Sequence, residues 1–263
     1  MKVHGVKLRD FVKEPLEVLS FGGGVQSFAI LLLIKEGKLP IPDIIIHSDT
    51  GSEMPHTHEI VKIGFEISKE MNIPFHIVSS YRGKLHEDYM KTGTLPVVGI
   101  RSCTTNFKIF PQRRFIREIV GNKNGKVLAN CWLGITTDES KREVKSNLQW
   151  IQNKFPLLEI NYTRKDCIEL NSKYNYSVKK SGCFCCPYAG KNHFVKLYQD
   201  HPELFKIVKE MESKYHKTWK TKNEGILPRV SDISTLQIPS LVTFGAEILS
   251  NDESSCDSGG CFL

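Results

Sequence analysis

Apolar residues along this chain fall into short runs that alternate between two periods. Leu16-Glu17-Val18-Leu19-Ser20-Phe21 and Asp43-Ile44-Ile45-Ile46-His47 are nearly continuous apolar stretches of strand length, the pattern of strands covered on both faces. Pro74–Val78 and Val127–Ile135 read as two further strands. Between them lie segments with helical spacing: 26–36, stopped at Gly37; 56–71, with Ile60, Ile63, Phe65 and Ile67 among its apolar positions; and 108–120. Residues 138–148 and 164–173 are expected to be helical. A last helix starting near Pro202 carries Leu204, Val208, Met211 and Tyr215 on one face, and Lys206, Lys209, Lys214, Lys217, Lys220 and Lys222 make its outer side basic. The alternation predicts an α/β fold with a doubly wound, mainly parallel sheet and a helical C-terminal appendage. A nucleotide-binding domain carrying a cysteine cluster is expected over 1–200, and a basic helix with a cysteine-bearing tail over 201–263.

The junction of the first strand and first helix reads Ser20-Phe21-Gly22-Gly23-Gly24-Val25-Gln26-Ser27. Consecutive glycines let a backbone curl closely round a ligand. The helix that follows presents unpaired N–H groups and a positive dipole end, which suits an anion. A Gly-x-Gly-x-x-Gly fingerprint is not spelled here, and with no Gly-Lys-Thr/Ser a Walker-type loop is excluded. The second strand runs into Asp49-Thr50-Gly51-Ser52-Glu53. In an open α/β sheet both turns lie at carboxyl ends of strands, where ligands gather. Asp49 and Glu53 are candidates for a ribose hydroxyl or Mg²⁺; the plainer reading is an Asx-turn that opens a helix.

Charge and cysteine usage sharpen this picture. A net charge of +7 suits an anionic partner such as a nucleotide or nucleic acid. Runs of 18 or more apolar residues are missing, and Met1–Gly5 lacks a signal-peptide core, so a cytoplasmic protein that engages no membrane is expected. Eight cysteines, at 103, 131, 167, 183, 185, 186, 256 and 261, are clustered in a way that favours metal or redox chemistry over disulfides. In Lys180-Ser181-Gly182-Cys183-Phe184-Cys185-Cys186-Pro187-Tyr188, the Cys183-x-x-Cys186 pair followed by proline is a strong metal signal. Thiolates suit an iron–sulfur cluster, with zinc the rival metal and free or redox thiols the third reading. In Arg101-Ser102-Cys103-Thr104-Thr105-Asn106-Phe107-Lys108-Ile109-Phe110-Pro111, basic neighbours would favour the Cys103 thiolate. Asp138 can cap a helix, and Arg142, one turn further, can clamp an anion.

Together these motifs resemble the phosphoadenosine phosphosulfate (PAPS) reductase family within the PP-loop ATP pyrophosphatases, over roughly residues 16–195. Gly23, Gly24 and Ser27 match the loop written Ser-Gly-Gly-x-Asp-Ser, whereas Gly22 and Gln26 depart from it. The spacing to Asp49-Thr50-Gly51 is similar to PAPS reductases and to the related pyrophosphatase of DNA phosphorothioation. The Cys103–Lys108–Pro111 stretch is similar to their Cys-Thr-x-x-x-Lys-x-x-Pro. Cys103 and the Cys183/Cys186 pair resemble the iron–sulfur branch, with Ser102 where a tandem cysteine would stand.

The resemblance implies an adenine nucleotide α-hydrolase-like fold that binds ATP with Mg²⁺, or PAPS or APS, through Ser20–Ser27 and Asp49–Glu53. It implies a [4Fe–4S] cluster on Cys103, Cys183 and Cys186, with Cys185 or Cys167 among the candidates for a fourth ligand. Lys108 and Arg142 would stabilise charge at the α-phosphate. Cys256 and Cys261 would act as nucleophile, persulfide carrier or resolving pair, although the Glu-Cys-Gly-Leu-His ending of assimilatory reductases is absent. The expected activity is ATP pyrophosphatase or adenylating sulfurtransferase chemistry on a nucleic-acid or small-molecule acceptor. The alternatives are sulfonucleotide reduction to sulfite and a non-catalytic adenine-nucleotide module. Expected partners are tRNA or DNA, a sulfur donor such as a cysteine desulfurase or a thiol reductant, and further copies of the chain in a homo-oligomer.

Overall fold

A computed structural model describes residues 2–3, 6–7, 15–96, 101–122, 125–143 and 145–219. Lys220, Lys222 and the tail cysteines Cys256 and Cys261 lie outside the described residues. Strands β1 (Lys2–Val3) and β2 (Val6–Lys7) form a small antiparallel pair. The main sheet holds β3 (Leu16–Ser20), β4 (Ile44–Asp49), β5 (Phe75–Ser79), β6 (Ala129–Trp132) and β7 (Ile151–Lys154), in the order β5-β4-β3-β6-β7 and parallel throughout. The doubly wound α/β reading therefore holds. The order reverses between β3 and β6, which makes the crevice above those strands the natural ligand site.

Alternation along each strand sends successive side chains to opposite faces. Leu19, Ile45 and Trp132 pack under α1 (Val25–Lys35), α2 (Pro55–Glu70) and α7 (Arg164–Lys173). Val18, Ile44, Ile46 and Cys131 pack on the other face under α5 (Phe110–Val120). A third apolar cluster stands apart from the sheet. It joins Leu85 and Tyr89 of α3 (Leu85–Thr92), Phe107, Cys183, Phe184 and Cys185 to α8 (Lys191–Asp200) and α9 (Pro202–Trp219). The boundary expected at residue 200 thus falls within a helix pair that shares one cluster. Among the described residues no helix is long and apolar enough to cross a membrane.

Local expectations change at four elements. The helix expected over 138–148 is only a short 3₁₀ segment, Thr137–Arg142, interrupted by non-helical backbone at Glu139. Strand β7 was not expected, because Ile151-Gln-Asn-Lys154 holds one apolar residue at a sheet edge. Helices α3 and α8 were likewise not expected.

Glu36, at the end of α1, ties that helix to its surroundings. Its carboxylate meets Lys38 at 2.8 Å, Lys173 at 3.0 Å and the Tyr174 hydroxyl at 3.0 Å. Lys38 and then Lys173 hold the Glu36 carboxyl down from the ordinary 4.5 to about 2. A depressed carboxyl stabilises the fold above its unfolded value, and that contribution fades as pH falls toward the folded one. The melting-temperature gap between the natural chain and Glu36→Gln is therefore expected to be full near neutrality and to close between about pH 4.5 and 2. Thermal scans at stepped pH check this; a gap independent of pH counts against the ion cluster.

Candidate active site at the strand switch point

Strand β3 delivers Ser20 to the crevice and turns through Phe21-Gly22-Gly23-Gly24 into α1. The turn needs glycine for two physical reasons. Gly23 has φ +68°, a left-handed conformation that L side chains adopt at a cost. A Cβ on Gly24 would stand 2.8 Å from the Ser181 hydroxyl. Ser27 closes the loop: its Oγ accepts from the Gly24 N–H at 3.3 Å and lies 3.2 Å from the Gly24 carbonyl. Phe21 is anchored in the sheet and lines a small niche beside Gly22. Its ring is buried in the core, its N–H donates to Ile46 and its carbonyl accepts from His47 Nδ1 at 2.8 Å.

A cavity of about 70 Å³ opens over this loop, walled by Gly22, Gly24, Gln26, Arg142, Arg164 and Lys180. No acidic residue occupies the first turn of α1, and the one carboxylate lining the cavity, Glu139, is paired with Arg142. Arg142 is held by Glu139, Nη1 to Oε2 at 2.7 Å, and Gln26 Nε2 approaches the same oxygen at 3.3 Å. The Arg142 Nε is buried with no hydrogen-bond partner. A buried, orphaned donor beside a helix N-terminus favours an incoming anion that would pair with it. Gly134, after β6, packs so close to α1 that a Cβ there would lie 3.0 Å from the Ser27 nitrogen.

The turn after β4 is a neighbouring wall. Asp49 Oδ1 accepts from the Gly51 N–H at 2.7 Å, an Asx-type turn. Glu53 is buried; its carboxylate accepts from the Thr50 hydroxyl at 2.7 Å and from the Thr50 N–H at 3.1 and 3.2 Å. The main chain of Glu53 bridges to Cys183, flanked by Met54 N–H to Gly182 O and Phe184 N–H to Ser52 O, both 2.9 Å. Thr50 Oγ1 also lies 3.4 Å from Cys183 Sγ. The turn after β4 and the cysteine loop are thereby one hydrogen-bonded unit.

Lys108 stands in a π-helical turn, Thr105–Ile109, between α4 (Ser102–Thr104) and α5, a distortion common at functional sites. Its carbonyl accepts from Ser48 Oγ at 2.8 Å. It lines a second cavity of about 480 Å³, with Ser20, Gln112, Arg113 and Cys131. It also lines a small niche with Gly22, His47, Glu53 and Ser181. Burial pushes the His47 imidazole below its ordinary value, and its Nε2 is buried without a partner. His47, Arg164, Lys180 and Ser181 carry no assignment in the sequence reading. The signal for His47 was a titratable residue inside an isoleucine strand; the others reach the loop from distant segments.

Cys103, half-buried at the start of α4, packs on the cluster that holds Cys183 and Cys185, and Cys186 follows one turn after Cys183. Ser102, beside Cys103, exchanges a hydrogen bond with the Tyr89 hydroxyl at 2.9 Å. Arg101, at φ +46°, reaches the Tyr188 ring beyond the cysteine loop. Burial pushes the Cys185 thiol well above its ordinary value, and pushes Cys131 and Cys167 up to about 12. As donors, the soft thiols of Cys103, Cys183 and Cys186 suit iron–sulfur or zinc. Among the described residues no three His, Cys, Asp or Glu side chains are preassembled around one point.

The profile of the phosphoadenosine phosphosulfate reductase domain matches residues 17–189, which span the glycine loop, Lys108 and the cysteine loop. The chain belongs to that family. A relative within reach of sequence comparison is an uncharacterised protein of Methanocaldococcus jannaschii, 26% identical over 199 residues. That match covers 71% of this chain and 45% of the relative, so the chain spans less than half the length of that protein. Among solved structures, the U34-tRNA thiolase NcsA of Methanococcus maripaludis, with its [4Fe–4S] cluster, aligns at TM-score 0.42 and 18% identity over 79% of this chain and 74% of the thiolase. In this member of the reductase family the departures at Gly22 and Gln26 both face the 70 Å³ cavity.

Proposed function

We propose that the chain activates an acceptor with ATP, releasing pyrophosphate, as one step of a sulfur-transfer reaction. The observation that carries this reading is the anion cavity at the strand reversal, where the dipole end of α1 meets Arg142 with its orphaned Nε. The pyrophosphate portion would lie on the N–H groups of Gly24–Ser27, clamped by Arg142, Arg164 and Lys180. An acceptor oxygen attacks the α-phosphorus, the bond to the bridging oxygen breaks, and pyrophosphate leaves. Lys108, between the niche and the larger cavity, is placed to stabilise charge that develops there. His47 presents a neutral imidazole nitrogen for the acceptor proton.

Cys103, Cys183 and Cys186 would hold a [4Fe–4S] cluster, or zinc as the rival metal, with Cys185 the neighbouring thiol. A cluster with an open iron position supplies a binding site for sulfide when bound. The hydrogen bonds from the Thr50–Glu53 turn to Cys183 would keep that site in register with the nucleotide.

Radiolabelled pyrophosphate release from ATP by the anaerobically purified chain, with and without tRNA or DNA, tests the reading. Acceptor-dependent release is expected. A second reading, reduction of a sulfonucleotide to sulfite, is favoured by the family match itself. Sulfite formed from PAPS and a thiol donor, with no pyrophosphate from ATP, would select it. ATP binding without turnover under every acceptor would leave only a nucleotide-binding module.

A further inference from the structure

A groove of about 690 Å³ runs along the outside of α5 toward the β5 edge of the sheet. It is lined by Arg113, Arg114 and Arg117 of α5 and by Tyr81, Phe110 and Trp150, against one carboxylate, Glu118. Tyr81 is 80% exposed and Phe110 49%, so both rings are open to a ligand. The Arg117 guanidinium lies 4.4 Å over the Trp150 ring. Arg113 donates to Asn147, Arg114 to Glu118 and Arg117 to the Gly121 carbonyl, at 3.1, 3.1 and 3.2 Å. Each bond uses one of five guanidinium donors, so phosphate can still be bound.

The groove is continuous with the candidate active site. Phe110 and Arg113 line both the groove and the 480 Å³ cavity, and Ser20 and Leu133 line both that cavity and the anion pocket over the phosphate loop. A polyanion laid in the groove therefore has a walled path to the α-phosphate position.

We propose that this groove is the track for an unpaired RNA segment, which delivers one nucleotide into the cavity beside Lys108. The inference rests on the activating role proposed above and names the class of acceptor. Arginines alternating with exposed ring faces are the chemistry of single-stranded recognition: guanidiniums take phosphates and rings stack bases. A duplex offers no open base faces for Tyr81 and Phe110. A 480 Å³ cavity is of the size that encloses a small ligand such as one nucleoside, which requires a base already out of its stack. Unpaired bases are presented chiefly by RNA loops and ends, cellular DNA being paired.

The test uses the full chain and a fluorescein-labelled RNA hairpin with a 10-nucleotide loop, read by anisotropy, while ATP binding is measured separately by calorimetry. The hairpin is expected to bind at least tenfold tighter than a blunt RNA duplex, and affinity should fall steeply with salt. Arg114→Glu and Tyr81→Ala, both at exposed positions, should each weaken hairpin binding about five- to tenfold and leave ATP affinity unchanged. Equal binding of duplex and hairpin, tighter binding of single-stranded DNA or polyglutamate, or no change in either variant overturns the proposal. Loss of ATP binding by the natural chain would instead overturn the activating role and leave the hairpin result to be judged by itself.

Discussion

Lys108→Ala is expected to lower the rate of pyrophosphate release by about 10²- to 10³-fold, with a small change in ATP affinity. That is the usual scale for removing one preorganised charge-stabilising group. Lys108 lines both the niche at the glycine loop and the larger cavity, so in the proposed reaction it would stand between nucleotide and acceptor. Its main chain is held independently, through the Ser48 hydroxyl on its carbonyl at 2.8 Å, so truncation leaves the π-helical turn in place. Lys108→Arg keeps the charge on a wider head and should recover part of the rate. Single-turnover release at saturating ATP separates the rate effect from binding. A loss below threefold would remove Lys108 from the chemistry.

Glu53→Ala is expected to give the largest loss of stability among single changes at the site, on the order of 2–4 kcal/mol. The buried carboxylate accepts from the Thr50 hydroxyl and N–H. Removing it strands a buried amide and frees the hydroxyl that approaches Cys183. Glu53→Gln retains acceptors on one side and should recover about half. Denaturant unfolding of both variants measures the difference. Nucleotide affinity should fall with stability in Glu53→Ala, because Glu53 lines the niche beside Gly22 and Lys108. Equal stability of the natural chain and Glu53→Ala would show that the turn holds itself without the carboxylate.

The sheet was legible in the sequence wherever strands are buried on both faces, because runs such as Ile44-Ile45-Ile46 admit no amphipathic reading. Legibility failed at the sheet edge, where β7 has water on one side and spells Gln-Asn-Lys after its single isoleucine. It failed also at 138–148, where helix-like charge spacing is present but backbone at Glu139 leaves the helical region. Of the candidate site, the glycine turn was readable because φ +68° at Gly23 and the crowding at Gly24 leave room for nothing else. The cations Arg164 and Lys180 were not readable as partners of that turn, since 137 and more positions separate them from it and only the packing of α7 and the cysteine loop brings them there. The link between Glu53 and Cys183 is a main-chain pairing, which no side-chain pattern announces.

The third apolar cluster divides the molecule into unequal cooperative units. The two sheet faces share β3, β4 and β6, so they should melt together. The cluster of α3, α8, α9 and the cysteine loop meets them chiefly at the Glu53 bridge and the turn that carries Lys108. Amide exchange should therefore be fastest in that unit and slowest in the sheet strands. Because Lys180 and Ser181 of the cysteine loop line the cavity over the glycine turn, opening of that unit would strip the cavity of one wall while the sheet beneath it stayed folded.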